Sequence, residues 1–168
     1  MPETAALISV EEYLSTNYKP ACDYIDGALR QKSMPTKKHS LVQFFVGLLI
    51  FRDYRMYALP ELTVKVRAGK YLVPDLAVVE RGSGGDPYPT EPVYLCVEIL
   101  SPGDRMSKTL AKCEEYHAWG VEYTWVLDPM TQRAWEYHKG CKPVETGDLI
   151  TAGVISLRCA EVFSDGEI

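Results

Sequence analysis

The sequence lacks both paired-cysteine motifs and any hydrophobic run long enough to cross a membrane. Its five cysteines are an odd number, and no two of them have the C-x-x-C spacing of a zinc ribbon or a thioredoxin-like site. The longest unbroken apolar run covers residues 44–51, whereas a transmembrane helix needs about 20 residues. The N-terminus has an early acid and lacks the basic segment that opens a signal peptide. We therefore expect a cytoplasmic protein whose cysteines are free thiols.

An excess of positive charge is absent as well. The chain contains 18 Lys and Arg against 23 Asp and Glu, and the net charge of -5 argues against a protein that coats nucleic acid through bulk charge. The charge is nevertheless uneven, because residues 30–70 contain nine basic residues and two acids. Such asymmetry suits one phosphate-facing surface that includes Lys37 and Lys38, although basic residues scattered over the fold are equally compatible with it.

Repeats, linkers and low-complexity segments are also missing, so we expect the 168 residues to form a single domain, 1–168. A capping box at residues 9–12 predicts a short first helix. The dipeptide Asp26-Gly27 predicts a hairpin between residues 22–25 and 28–32. Apolar residues at helical spacing predict a long helix over 38–53. The stripe predicted on this helix consists of Leu41, Phe44, Phe45, Leu48, Leu49 and Arg52.

Short apolar runs predict a sheet with helices between its strands. The predicted strands are 54–59, 62–67, 71–73, 75–80, 93–100, 123–127 and 133–137, with one or two edge strands near 149 and 154. Residues 82–92 are rich in Gly and Pro and predict a loop. Asp104 is placed to cap a second helix that runs to about Trp119 and stops at Gly120. We therefore expect a mixed α/β (α+β) fold around one central sheet.

Two of the predicted strands each contain one acid in an otherwise apolar run. Asp75 lies within residues 71–79 and Glu98 within residues 93–100. Strands that are apolar throughout belong to the covered middle of a sheet, where an ionised carboxylate is costly unless something compensates it. A cation, backbone donors or a metal ion can compensate, and two such acids favour one compensator that they share.

The helix after Glu98 offers a cation for these acids. Lys108 and Lys112 are one turn apart on one face, and Lys112 can reach the Glu98 strand if the helix packs back across the sheet. Two carboxylates with waters suit Mg²⁺, and a neighbouring lysine suits the hydrolysis of a phosphodiester. Each feature alone has a simpler explanation: an Asp after Pro is often a turn residue, a buried Glu often has a structural cation, and two lysines often form a solvated helix face.

Several segments, taken in order, resemble the Uma-type family of restriction-endonuclease-like proteins, part of the PD-(D/E)xK nuclease superfamily. They are VPDLAVVE, YLCVEILSPGDR and KTLAKCEEYHAWGVEYTWVLDP, preceded by DYIDGALRQKSMPTKKHSLV, so the resemblance covers roughly residues 8–160. It implies a restriction-endonuclease-like core in which helices flank a central mixed β-sheet. It also implies a homodimer that acts on DNA with Mg²⁺ or Mn²⁺, without an organic cofactor or a membrane.

The resemblance also implies roles for individual residues. Asp75 and Glu98 bind the metal ion, and the backbone carbonyl of Ile99 completes the protein ligands. The superfamily pattern expects a lysine where this chain has Leu100. In the family that lysine lies on the next helix, where it matches Lys112.

Five further residues receive roles by the same resemblance or by their charge. Asp23 stands where the family has an acid in its first hairpin, usually Glu, and we predict a catalytic role for it. His39 matches a frequent family histidine at the start of the long helix, where a backbone or phosphate contact is as compatible as a catalytic one. We predict nucleic-acid contacts for Lys37, Lys38, His39 and Lys108.

Three functions remain open from the sequence. The first is a Mg²⁺-dependent DNA endonuclease in which Asp75 and Glu98 hold the metal ion and Lys112 assists. The second is a catalytically inactive module that uses the same fold to bind nucleic acid or a protein. The third is a metal-dependent phosphoesterase that acts on RNA or a nucleotide, although no aromatic RNA-binding signature is visible.

Overall fold

Two neighbouring β-sheets organise the computed structural model, which describes residues 5–164. The elements in chain order are α1 (Val10–Ser15), β1 (Cys22–Ile25), β2 (Ala28–Gln31), α2 (Lys37–Tyr54), β3 (Tyr57–Pro60), β4 (Val64–Arg67), β5 (Lys70–Leu72), β6 (Leu76–Val79), β7 (Leu95–Ile99), α3 (Met106–Trp119), β8 (Tyr123–Asp128), β9 (Arg133–Glu136), β10 (Val144–Glu145), β11 (Leu149–Ala152), β12 (Ile155–Arg158) and α4 (Cys159–Val162). A four-stranded sheet has the order β2-β1-β5-β4 and a six-stranded sheet the order β10-β9-β8-β7-β6-β3, while β11 and β12 form a separate two-stranded sheet. Helices flank the six-stranded sheet, which is mixed, so the predicted fold class is confirmed. Within the described residues, no helix is long and apolar enough to span a membrane.

The six-stranded sheet buries both faces of its central strands. Its strands are antiparallel except β7 and β8, which run parallel and are joined by α3. Parallel neighbours require such a crossover because the chain must return to the same end of the sheet. The helix α2 packs on one face and α3 on the other. This double cover explains why the β6 and β7 segments are almost continuously apolar.

Alternation along β7 decides which face each of its side chains occupies. Val97 packs in the core with Ile50 of α2. Cys96 instead packs in a second core cluster with Tyr116 of α3. Glu98, two residues after Cys96, therefore points to the α3 side of the sheet.

The chain reaches Asp75 directly after it leaves the four-stranded sheet. The β1–β2 hairpin turns at Asp26 and Gly27, whose φ angles of 48° and 93° fit the two-residue turn that the sequence predicts. The strand β5 pairs with β1 in this sheet, and the chain then passes through Val73 and Pro74 into β6 of the larger sheet. Asp75 therefore lies where the two sheets meet.

The long helix α2 has nearly the predicted bounds but a different buried face. Val42, Val46 and Ile50 are buried, whereas Phe44 is 61% exposed and Leu48 is 42% exposed. The predicted stripe that contained Phe44 and Leu48 was therefore wrong. Residues 44–51 are apolar around the whole helix, so spacing alone could not distinguish the face that the sheet covers.

The helix α3 ends as predicted but begins differently. Gly120 terminates it with a φ of 123°. Asp104 does not cap the helix, which begins at Met106 without a side-chain cap. Its carboxylate instead accepts a hydrogen bond from the Ser101 backbone N–H at 2.7 Å and another from the Ser33 hydroxyl. The Asp104 side chain, which was expected to cap the helix, therefore stabilises the preceding turn instead.

Candidate active site

Asp75, immediately before β6, lies opposite Glu98 of the adjacent strand β7. In the antiparallel pair β6–β7, Leu76 pairs with Val97, and the same register continued by one residue sets Asp75 against Glu98. Opposite residues of a sheet project from the same face. Both carboxylates therefore lie on the α3 side, and both are buried, with exposed fractions of 3% and 6%.

The Asp75 carboxylate contacts a lysine ammonium, a histidine ring nitrogen and one backbone N–H group. Lys32 Nζ lies 2.7 Å from Asp75 Oδ1, and His39 Nε2 lies 3.3 Å from the same oxygen. Asp75 Oδ2 accepts a hydrogen bond from the Ile99 backbone N–H at 2.6 Å. Burial alone would raise the pKa of Asp75, but Lys32 and His39 outweigh it and hold the pKa well below its usual range. Asp75 is therefore ionised at neutral pH.

The Glu98 carboxylate has fewer donors than that of Asp75. Its Oε1 accepts a hydrogen bond from the Tyr116 hydroxyl at 2.6 Å and lies 3.4 Å from Lys112 Nζ. Burial raises the pKa of Glu98 to about 7, although the charge of Lys112 acts in the opposite direction. The two neighbouring acids therefore have pKa values displaced in opposite directions.

Lys112 reaches from α3 to the junction of the two sheets. Its Nζ donates to the Val73 carbonyl at 3.1 Å and lies 3.1 Å from Asp23 Oδ2. Burial would lower the pKa of Lys112, but the charges of Glu98 and Asp23 outweigh it and raise the pKa. These two carboxylates therefore favour the ammonium form of Lys112 at neutral pH.

Asp23 is bound on both of its carboxylate oxygens. Oδ1 accepts a hydrogen bond from the Val73 backbone N–H at 2.7 Å, and Oδ2 contacts Arg30 at 3.0 Å as well as Lys112. Because Asp23 and Lys112 bind the two sides of the same peptide segment at Val73, they tie β1, α3 and the entry to β6 together. Its contacts are those of a residue that positions Lys112, and its catalytic role stays a prediction.

The residues predicted to contact nucleic acid occupy different depths. His39 is buried in the first turn of α2, and in the described part of the chain its Nδ1 has no hydrogen-bond partner. Lys37 and Lys38 are exposed in the same turn. Lys108 is exposed on α3 and lines the cleft that contains both acids.

Sequence reasoning missed the lysine that contacts Asp75. Lys32 is bound to Asp75 and also lies 2.7 Å from Glu61 Oε2, while the expected shared cation, Lys112, contacts Glu98 and Asp23. The two-residue period of a strand could have indicated Lys32, because it places Arg30 and Lys32 on the same face of the hairpin. Two cations, Lys32 for Asp75 and Lys112 for Glu98, therefore replace the single compensator that the sequence favoured.

The cleft can accommodate a divalent ion together with substrate. It encloses about 580 Å³ and is lined by Asp75, Glu98, Lys32 and Lys112. In the described part of the chain Glu98 Oε2 accepts no hydrogen bond, since the Tyr116 hydroxyl donates to Oε1. Within residues 5–164 no three His, Cys, Asp or Glu side chains form a metal cluster. Two carboxylates completed by waters still suit Mg²⁺ or Mn²⁺, provided that the ion replaces Lys32 at Asp75 Oδ1.

Comparisons with known proteins agree with this architecture. A family model described as "Uma2: Putative restriction endonuclease" matches residues 10–156. The crystal structure of "a putative nuclease belonging to DUF820" from Anabaena variabilis ATCC 29413 is similar with a TM-score of 0.78 and 24% identity, covering 93% of this chain and 97% of that chain. A cryo-EM structure of a DrdV–DNA complex matches 69% of this chain and 10% of that chain, with a TM-score of 0.39 and 18% identity. Among curated proteins, none matches the sequence.

Proposed function

The chain belongs to the Uma2 family, and from this membership and the geometry of its cleft we propose that it is a metal-dependent endonuclease that hydrolyses phosphodiester bonds of DNA. The observation that carries the proposal is the convergence of Asp75, Glu98 and Lys112 on one cleft from three separate elements. Two buried acids beside a permanently charged lysine are costly for stability alone, which supports a role in chemistry.

The acids of the cleft would hold one Mg²⁺ or Mn²⁺ ion. Asp75, which stays ionised, and Glu98, whose Oε2 accepts no hydrogen bond within the described residues, would supply the side-chain ligands, and the Ile99 carbonyl remains a predicted third ligand. When bound, such an ion lowers the pKa of a water ligand and neutralises charge on a phosphate oxygen.

The protein's own groups would divide the remaining work. Lys112, charged at neutral pH, stabilises the negative charge that develops on the phosphate as water attacks phosphorus and the bond to the leaving oxygen breaks. Glu98 would be engaged as a ligand of the ion, so the proton that this water loses would pass to solvent. Tyr116 and Asp23 position Glu98 and Lys112 by the bonds described above. Lys32, released from Asp75, is placed to contact a substrate phosphate.

Cleavage of supercoiled plasmid DNA with Mg²⁺ or Mn²⁺ tests the proposal. We expect Asp75→Asn, Glu98→Gln and Lys112→Met each to lower the cleavage rate by about 100-fold or more. The exposed Glu91→Gln and Lys142→Met variants repeat the same chemical changes outside the cleft and should retain the wild-type rate. Cleavage that survives Asp75→Asn at the wild-type rate would refute the proposed site.

A binding module without nuclease activity is the second candidate. It is favoured by the cations that already pair with both acids, Lys32 with Asp75 and Lys112 with Glu98. DNA binding without cleavage, together with no heat of Mn²⁺ binding in calorimetry, would select this function. RNA substrates in the same cleavage assay test the phosphoesterase alternative, and the expected homodimer remains a proposal.

A further inference from the structure

A second pocket of about 590 Å³ adjoins the cleft and shares with it the wall formed by Lys32, Ser33, His39 and Asp75. Its other walls come from residues 13–22 between α1 and β1, residues 34–35, the first turns of α2, and residues 61 and 63. We call it the side pocket. The mechanism proposed above uses only the shared wall, which leaves the rest of the side pocket without a role. Its volume lies in the range of pockets that bind small organic ligands.

The side pocket combines flat apolar surfaces with a few free polar groups. Tyr18 stacks on Tyr13 with ring centroids 5.8 Å apart and ring planes 23° apart. Met34 lines the pocket and is 71% exposed. Asn17 and Ser40 also line it, and in the described part of the chain their side chains form no hydrogen bond. These features suit a nucleobase, because its faces stack on aromatic and apolar groups and its edges form hydrogen bonds.

On the basis of the proposed function, we propose that the side pocket receives one unstacked nucleoside of the DNA strand whose phosphate is bound in the cleft. Every internal phosphate of a strand connects two nucleosides. A phosphate at Asp75 and Glu98 therefore places one nucleoside against the wall of Lys32 and His39 that the cleft and the side pocket share. Charge is consistent with this path, because Lys32 lies at the passage between the two cavities.

Duplex DNA cannot supply this nucleoside without distortion. A base within a duplex has both faces stacked and its edge paired, so none of its surfaces is available to the side pocket. The nucleoside must come from single-stranded DNA or from a duplex by extrusion, which is easiest where the base is mismatched or bulged. The protein should therefore select DNA with unpaired bases over perfectly paired duplex.

Fluorescence anisotropy with Ca²⁺ in place of Mg²⁺ measures this selection, because a divalent ion must offset the charge of Asp75 and Glu98 before a phosphate can bind there. A gel confirms that the probes stay uncleaved. The probes are duplexes that contain one bulged adenosine, one bulged abasic residue or no bulge. The abasic residue keeps the phosphate and removes only the base. We expect the wild-type protein to bind the bulged adenosine about tenfold more tightly than the abasic bulge, as one base stack provides. Tyr18→Ala and Met34→Ala should reduce this ratio to less than about threefold, whereas Tyr57→Ala and Met130→Ala, exposed outside the side pocket, should preserve it.

The result that overturns the proposal is a base-dependent ratio that is the same in the wild type and in both pocket variants, or equal affinity for bulged and perfectly paired duplex. Met34 is mostly exposed, so its variant keeps the test valid even if Tyr18→Ala fails to fold. In a perfectly paired duplex, increased fluorescence of 2-aminopurine on binding supports extrusion. Tight binding of single-stranded oligo-dA without that increase supports recognition of bases that are already unpaired.

Plasmid cleavage, measured separately, distinguishes this inference from the proposed function. Base-dependent binding that requires Tyr18 and Met34, without cleavage by the wild-type protein, supports the side pocket and refutes the nuclease. Cleavage without base-dependent binding refutes the side pocket and leaves the nuclease intact.

Discussion

Replacement of Lys112 by Met tests the electrostatic design of the cleft. The change removes the ammonium that lies 3.4 Å from Glu98, 3.1 Å from Asp23 and 3.1 Å from the Val73 carbonyl. Methionine keeps most of the side-chain volume, so the effect of a cavity is small. Removal of one partner of a buried ion pair typically costs about 3–5 kcal/mol because it leaves an uncompensated charge. We expect the free energy of unfolding to fall by about this amount at pH 8.

The loss should be smaller at pH 6, because Glu98 can be protonated there. The pKa of Glu98 is about 7 in the folded protein, above its ordinary value, since burial disfavours the charged form. Between these two pKa values the folded protein binds more protons than the unfolded chain, so stability falls as the pH rises. Without Lys112 the pKa of Glu98 rises further, and the fall continues to higher pH. The variant is therefore most destabilised where Glu98 must be ionised.

Urea unfolding at pH 6 and pH 8 measures both effects. Lys108→Met is the matched control, because Lys108 is exposed one turn away on the same helix and should change stability by less than about 0.5 kcal/mol. The double variant Lys112→Met/Glu98→Gln removes both charges and should recover part of the loss, giving a coupling energy. A loss below about 1 kcal/mol at pH 8, or a loss equal at the two pH values, would refute the assignment of Lys112 as the cation that compensates Glu98.

Two further predictions concern ligands. Mn²⁺ should bind more tightly at pH 8 than at pH 6, because Glu98 must lose its proton to bind a cation. Calorimetry in two buffers of different ionisation enthalpy measures the proton that is released. An affinity for Mn²⁺ that is the same at both pH values would contradict the role of Glu98. Lys37→Ala and Lys38→Ala should each weaken binding to duplex DNA and reduce the steepness of log affinity against log salt by about 0.9 for each phosphate that the variant no longer neutralises. An unchanged salt dependence in both, equal to that of the exposed control Lys142→Ala, would show that this turn does not face phosphate.

Local chemistry made much of the fold predictable. The Ser9 cap of the first helix, the Asp26-Gly27 turn and the stop at Gly120 all appear in the structure, because each depends on hydrogen bonds or backbone angles within a few residues. The buried face of α2 was not predictable in the same way. Phe44 and Leu48 are as apolar as their buried neighbours, and only the position of the sheet leaves them exposed.

The candidate site was also predictable only in part. An acid in an apolar strand is visible in the sequence because its cost depends on its neighbours along the chain, and this identified Asp75 and Glu98. The cation at each acid is not visible, because long side chains from different elements compete for the same position. Lys32 comes from the end of the first hairpin and Lys112 from the crossover helix, and both are charged residues of ordinary appearance in the sequence.

Local sequence patterns were enough to predict most of the helices and strands, several of their ends and the two carboxylates that are costly to bury. These properties follow from hydrogen bonding, turn geometry and apolar patterning within short segments. Only the tertiary structure decided that Asp75 and Glu98 face each other, that Lys32 binds the first and Lys112 the second, and that the side pocket adjoins them. The physical reason is that strand register and the convergence of the two sheets bring together groups that lie far apart along the chain, and no local pattern encodes that distance.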